Sequence, residues 1–218
     1  MIKTILFDFD GTVADTLPII FHAFRSTFRM FLQQDYSDEQ IVRLFGPTET
    51  VILEQMIPPE KQEEALRHFF QLYEQEHRLT AETELVRQML ASVQQAGIRM
   101  GVVTGKGRRS AEISLRALDL THFFDVMITG DEVVLPKPHP EGICMAMKQL
   151  GAEKETTCFV GDSDADIKAA RAACITAVGV NWLSVSQKTG GFTPEPDLVF
   201  TDPIAFVDWV QKNNRRNR

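Results

Sequence analysis

The stretch Ile5-Leu6-Phe7-Asp8-Phe9-Asp10-Gly11-Thr12-Val13 decides the fold. Ile5 to Phe7 have the bulk and length of a short buried strand. Asp8-Phe9-Asp10-Gly11 ends it with turn-forming residues. An extended backbone alternates its side chains, so Asp8 and Asp10, two apart, point the same way from the strand end. Working outward, similar short apolar runs recur at 98–103, 126–129, 157–160, 175–180 and 198–200. Helical patterns lie between and after them, near 84–96, 107–118, 139–150, 164–173 and 203–212. Strand–helix alternation of this kind predicts an α/β fold, with parallel strands joined by right-handed crossovers and helices on both faces.

The segment between the first strand and about residue 82 reads differently. Phe21, Phe24, Phe28 and Phe31 recur at steps of three and four, with His22, Arg25 and Arg29 off that face. This is the apolar stripe of a buried helix. Pro18 suits its first turn, where a missing N–H costs nothing. Further helices are expected at 37–45, 48–56 and 59–77, broken at Gly46-Pro47 and Pro58-Pro59. Leu66, Phe69, Phe70 and Tyr73 form the buried stripe of the last, and its charged positions from Glu60 to His77 form a solvated face. A small all-helical domain, 16–81, is therefore expected as an insertion into an α/β core made of 1–15 and 82–218.

Open parallel sheets bind ligands beyond the carboxyl ends of their strands. The first strand delivers Asp8 and Asp10 to that edge. The second delivers Thr104 and the fourth delivers Gly161-Asp162, followed by Asp166. Lys137 falls in the loop after the third. Carboxylates gathered at one edge repel each other unless a cation intervenes. All-oxygen ligands without His or Cys favour magnesium over zinc or copper. Lys137, the Thr104 hydroxyl and the backbone N–H of Gly105 suit a phosphate. A carboxylate nucleophile beside magnesium, facing a phosphate, points to an aspartyl-phosphate intermediate.

These residues resemble the four motifs of the haloacid dehalogenase superfamily, specifically its magnesium-dependent phosphatases. Asp8-Phe9-Asp10-Gly11-Thr12-Val13 is similar to the first motif, DxDGT. Thr104 in Val102-Val103-Thr104-Gly105-Lys106 resembles the second, and Lys137 in Lys137-Pro138-His139-Pro140 the third. Gly161-Asp162-Ser163-Asp164-Ala165-Asp166 resembles the fourth, GDxxxD. Four motifs in order on a matching βα pattern are far more specific than any one. The pattern is most similar to phosphoglycolate phosphatases and related bacterial pyrophosphatases. The resemblance implies a Rossmann-like core with a helical cap. It implies Asp8 as nucleophile and Asp10 as acid and base. Thr104, Gly105 and Lys137 would hold the phosphoryl group. Magnesium would take the carboxylates of Asp8 and Asp162 and the backbone carbonyl of Asp10, with Asp166 in support.

Caps of this family supply leaving-group contacts. The loop Phe45-Gly46-Pro47-Thr48-Glu49 is the candidate here, so Thr48 and Glu49 are possible substrate contacts; a plain interhelical turn is the alternative. Val13 stands where Leu is commoner, and Cys174 where Gly is often found. Trp182, in a loop after the fifth strand, has packing as its simplest role. Gly105-Lys106-Gly107-Arg108-Arg109-Ser110 is neither a dinucleotide fingerprint nor a Walker loop, since the spacing and the third glycine are wrong. His139 reads as structural.

The implied function is hydrolysis of a small phosphorylated metabolite, a phosphoglycolate-like phosphomonoester or pyrophosphate. A β-phosphoglucomutase-type phosphomutase is one alternative, although Thr12 in Asp-Gly-Thr favours hydrolysis. A dehalogenase would not need the fourth motif, and a non-catalytic regulatory protein would be expected to have lost Asp8, Asp10 or Asp162.

Composition sets the outer limits. The 218 residues carry a net charge of −7, with 23 Lys plus Arg against 30 Asp plus Glu. Phosphate-backbone binding needs clustered basic side chains, so no nucleic-acid partner is expected. The only basic run is 213–218, read as a frayed end. Nine Glu and only three Lys or Arg fall within 49–84, so the acidity resides mostly in the helical insertion. Three unpaired-looking cysteines, Cys144, Cys158 and Cys174, read as small buried hydrophobes in a reducing compartment. No membrane partner is expected, and the cytoplasm is the expected location. Nothing in the pattern chooses between monomer and homodimer.

Overall fold

The computed structural model describes residues 1–77, 81–184 and 191–215. The last residues of the basic run, 216–218, lie outside them. Six parallel strands form one sheet in the order β3-β2-β1-β4-β5-β6. They are β1 (Thr4–Phe7), β2 (Arg99–Val103), β3 (Val126–Ile128), β4 (Thr157–Gly161), β5 (Thr176–Val180) and β6 (Leu198–Phe200). Each lies where an apolar run predicts one. The chain winds outward from β1 through β2 to β3, then crosses back to β4 and winds the other way. The order therefore reverses between β1 and β4, the point at which such sheets open a crevice. Register places Phe7 beside Val102 on one side and Val160 on the other, so the ends of β1, β2 and β4 are level.

Side-chain alternation splits the core into two layers. Ile5 and Phe7 face α5 (Ala81–Gln95) and α9 (Pro203–Arg215), meeting Val86, Leu90 and Phe206. Leu6 faces the opposite layer with Phe159, against Ile143 of α7 (Glu141–Leu150) and Ile167 of α8 (Asp164–Ala172). Another helix, α6 (Arg108–Ala117), follows β2. α9 runs through Arg215, so the start of the basic run is helical rather than frayed.

Between β1 and α5 the described elements are all helical. They are α1 (Leu17–Leu32), α2 (Asp38–Val42), α3 (Glu49–Met56) and α4 (Gln62–Gln75), with a 3₁₀ turn at Pro59–Lys61. Their apolar stripes close a third cluster around Phe24, Phe28, Phe69 and Tyr73, all fully buried. The Phe24 and Phe69 rings lie 4.8 Å apart. Phe21 departs from the expected stripe: it is half-buried and stacks on Phe45 at 6.1 Å. The helices rest on the core through Ile113 of α6. α2 is shorter than expected, but its start is well capped: Ser37 accepts from the Gln40 N–H, and Gln40 accepts from the Ser37 N–H.

The cysteines divide. Cys158 is buried in β4, whereas Cys144 and Cys174 are exposed, against the expectation from composition. Cys144 lies on the outward face of α7. Cys174 follows α8 in the left-handed region, with φ 59°, a position that ends a helix and favours glycine. No helix among the described residues is long and apolar enough to cross a membrane.

Candidate active site

The sheet edge gathers the polar residues that the strand-end rule selects. Asp8 follows β1 directly, and its N–H donates to the Val160 carbonyl at 2.8 Å, fixing it beside the end of β4. Asp162 follows β4 and is completely buried, as is Asp166 in the first turn of α8. Oxygens of Asp8, Asp162 and Asp166 all lie within 4.8 Å of one another. Gly11 makes this approach possible. Its φ is +82°, and a Cβ there would overlap the Asp162 carboxylate. Gly161 has the same relation to Asp166.

Lys137 joins the cluster from the loop after β3. Its Nζ donates to Asp8 Oδ1 and to Asp166 Oδ1, each at 2.6 Å. Burial pushes the Asp8 carboxyl up and Lys137 pulls it back, while Asp166 raises it further; the balance is about 7. Burial alone would lower the Lys137 ammonium, but Asp166 and Asp8 hold it above the usual lysine value. Lys137 pairs with Asp8 and Asp166, and three buried carboxylates this close repel one another unless further positive charge is present. An all-oxygen donor set of this kind fits a hard divalent cation.

Asp166 also caps its own helix. Its Oδ2 accepts from the Ser163 hydroxyl at 2.6 Å and the Ser163 N–H at 3.0 Å. One carboxylate thus both caps α8 and pairs with Lys137. Thr104 is buried at the end of β2, and its hydroxyl oxygen accepts the Lys106 N–H at 3.1 Å. Gly105 follows it. Both line a cavity of about 240 Å³ together with Asp8, Asp10 and Lys137. Trp182 does more than pack: its indole N–H donates to the Thr12 carbonyl at 2.7 Å and ties the loop after β5 to the turn after β1.

Asp10 belongs to a second group. Its Oδ1 accepts from the Thr16 hydroxyl and lies 3.2 Å from Lys106 Nζ. Lys106 is buried, and its Nζ donates to Glu49 Oε1 at 3.1 Å. Glu49 Oε2 accepts the Gly107 N–H at 2.8 Å. The Tyr73 ring centroid lies 4.9 Å from the same ammonium. Burial alone would lower the Lys106 pKa, but Asp10, Tyr73 and Glu49 hold it well above the usual lysine value. Tyr73 in turn shares a 2.6 Å hydrogen bond with Ser114 of α6.

Glu49 of the expected cap loop thus reaches the cavity, as do Phe45, Gly46 and Pro47. Thr48 is buried outside its lining, with its hydroxyl unpartnered. Lys106 is the residue that sequence reading missed. Its position two residues after Thr104 was the available signal, but its partner Glu49 is 57 positions away. His139 stays at the helix start, its Nδ1 accepting from the Glu141 N–H at 3.2 Å.

The protein is thus a doubly wound parallel sheet with a helical insertion after its first strand and a carboxylate–lysine cluster at the switch point. The family model for haloacid dehalogenase-like hydrolases matches residues 5–180. The chain belongs to that family and, within it, to the phosphatases. Pyrophosphatase PpaX of Bacillus pumilus is 32% identical over 209 residues, which is 94% of this chain and 96% of the relative. A predicted phosphoglycolate phosphatase from Haemophilus somnus superposes with a TM-score of 0.79 at 22% identity, covering 96% of this chain and 98% of the other. A β-phosphoglucomutase from Clostridium difficile gives 0.75 at 21% identity, covering both chains completely. These two structures share the fold.

Proposed function

We propose that the protein is a magnesium-dependent phosphatase that hydrolyses a small phosphorylated metabolite through an aspartyl phosphate on Asp8. The convergence of Asp8, Lys137, Asp162 and Asp166 at the switch point carries this reading. Residues 16–81 act as the cap, and 1–15 with 82–218 as the catalytic core. The cytoplasm is the expected location.

The Asp8 and Asp162 carboxylates and the Asp10 backbone carbonyl would hold the magnesium, with Asp166 in support. Bound there, it supplies positive charge that relieves the repulsion between an anionic nucleophile and an anionic phosphate. Lys137 adds to this and orients Asp8. Thr104 and the Gly105 N–H hold phosphoryl oxygens. In the first step the Asp8 carboxylate bonds to phosphorus, the bond to the leaving oxygen breaks, and Asp10 gives that oxygen its proton. In the second, Asp10 takes a proton from water, which attacks the same phosphorus. Phosphate leaves and the Asp8 carboxylate is restored.

A phosphate-release screen with magnesium tests the reading, with phosphoglycolate, pyrophosphate, sugar phosphates and nucleoside monophosphates side by side. Pyrophosphate belongs in it because the Bacillus pumilus relative is named for that activity. Turnover that requires magnesium and disappears in Asp8→Asn, with the fold retained, supports the proposal. Undiminished turnover in that variant contradicts it. Conversion of a hexose 1-phosphate to the 6-phosphate would favour the mutase instead.

A further inference from the structure

The cavity has two sides of different chemistry. The inner side carries the Asp8 cluster. On the outer side, where a leaving group would lie beyond Asp10, the walls are Leu17, Ile20, Phe24, Phe45 and Ile52. The charged groups lining that side are Asp10, Lys106 and Glu49. Lys106 looks at first like a receptor for a second anionic group. Its ammonium is already enclosed by Asp10 Oδ1 at 3.2 Å and Glu49 Oε1 at 3.1 Å. Glu49 is itself fixed by the Gly107 N–H at 2.8 Å and is buried. Its carboxylate belongs to the insertion, whereas Lys106 and Gly107 belong to the core, so the pair forms across the seam between them.

We infer that Glu49 is a specificity-determining residue: by neutralising Lys106 it selects substrates whose leaving group is uncharged, a small alcohol, over those bearing a second anionic group. This rests on the phosphatase reading above. An anionic leaving group would meet the Glu49 carboxylate and apolar walls, with the Lys106 ammonium already committed to Asp10 and Glu49. Like charges brought together in a desolvated site are strongly unfavourable. A hydrocarbon-bearing alcohol meets walls suited to it.

The test compares two phosphomonoesters of similar size, ethyl phosphate and phosphoglycolate, with the full chain and magnesium. The parent should favour ethyl phosphate in kcat/KM by about tenfold or more. Glu49→Gln keeps an oxygen for the Gly107 N–H but removes the charge. It should shift the ratio toward phosphoglycolate by about tenfold or more, because Lys106 is released to meet the second anion. Comparing variant with parent cancels the different reactivities of the two esters. An unchanged ratio in Glu49→Gln overturns the inference. So does a parent that prefers phosphoglycolate, which can be read even if the variant fails to fold. Absence of turnover on every ester of the panel overturns the phosphatase reading itself, and this inference with it.

Discussion

The Nζ of Lys137 lies 2.6 Å from Oδ1 of Asp8, across 129 positions of sequence. The contact joins the loop after β3 to the end of β1 and gives the buried Asp8 carboxylate its nearest positive charge. Removing that charge takes away the influence that holds down a carboxyl whose pKa burial and Asp166 already raise, the balance with Lys137 present being about 7. Lys137→Met should therefore lower kcat/KM by about 100- to 1,000-fold, the usual scale for losing one preorganised electrostatic partner. Steady-state kinetics at saturating magnesium checks this, with circular dichroism to confirm that the variant folds.

The same carboxyl links stability to pH. Its pKa rises from 3.8 to about 7 on folding without metal, so the folded state holds a proton that the unfolded state has released. That contribution is fully present below 3.8 and is lost as pH rises through about 7. Magnesium competes with the proton for this site. The rise in Tm on adding magnesium should be larger at about pH 8 than at about pH 6. His77 works in the opposite direction. Burial lowers its pKa, so stability is lost as pH falls through its ordinary 6.5. That loss occurs with and without metal and cancels in the increment. Equal increments at both pH values would contradict the account of Asp8.

Cys174 is exposed and holds φ 59°, where an L side chain is strained and glycine is not. Cys174→Gly should relieve the left-handed cost, partly offset by the greater freedom of glycine in the unfolded chain. The expected net gain is about 0.5–1 kcal/mol. It would appear as a higher urea midpoint with an unchanged slope. A lower midpoint would contradict it.

The central strands of the sheet were legible in the sequence because they are buried on both faces. Ile5-Leu6-Phe7 and Cys158-Phe159-Val160 can be read as continuous apolar runs without knowing their neighbours. The inner half of the site was legible for a related reason. Asp8, Thr104 and Asp162 each follow a strand immediately, and parallel topology forces all such positions to one edge. Lys106 was not legible. It also follows a strand, but its meaning depends on Glu49, and that contact is made by the way an inserted helical unit rests on the core. No local periodicity records that placement. Cys174 shows another limit. Hydrophobic character suggested burial, while the backbone conformation needed to end α8 put the residue at the surface.

The central claim is that the phosphoryl group passes through Asp8. The most direct measurement is rapid acid quench during turnover with magnesium, followed by mass spectrometry of the peptide that contains Asp8 and Asp10. A phosphoryl adduct on the Asp8 side chain, appearing within one turnover and absent from Asp8→Asn, is the predicted result. Full turnover with no adduct, or an adduct on a different residue, would contradict it.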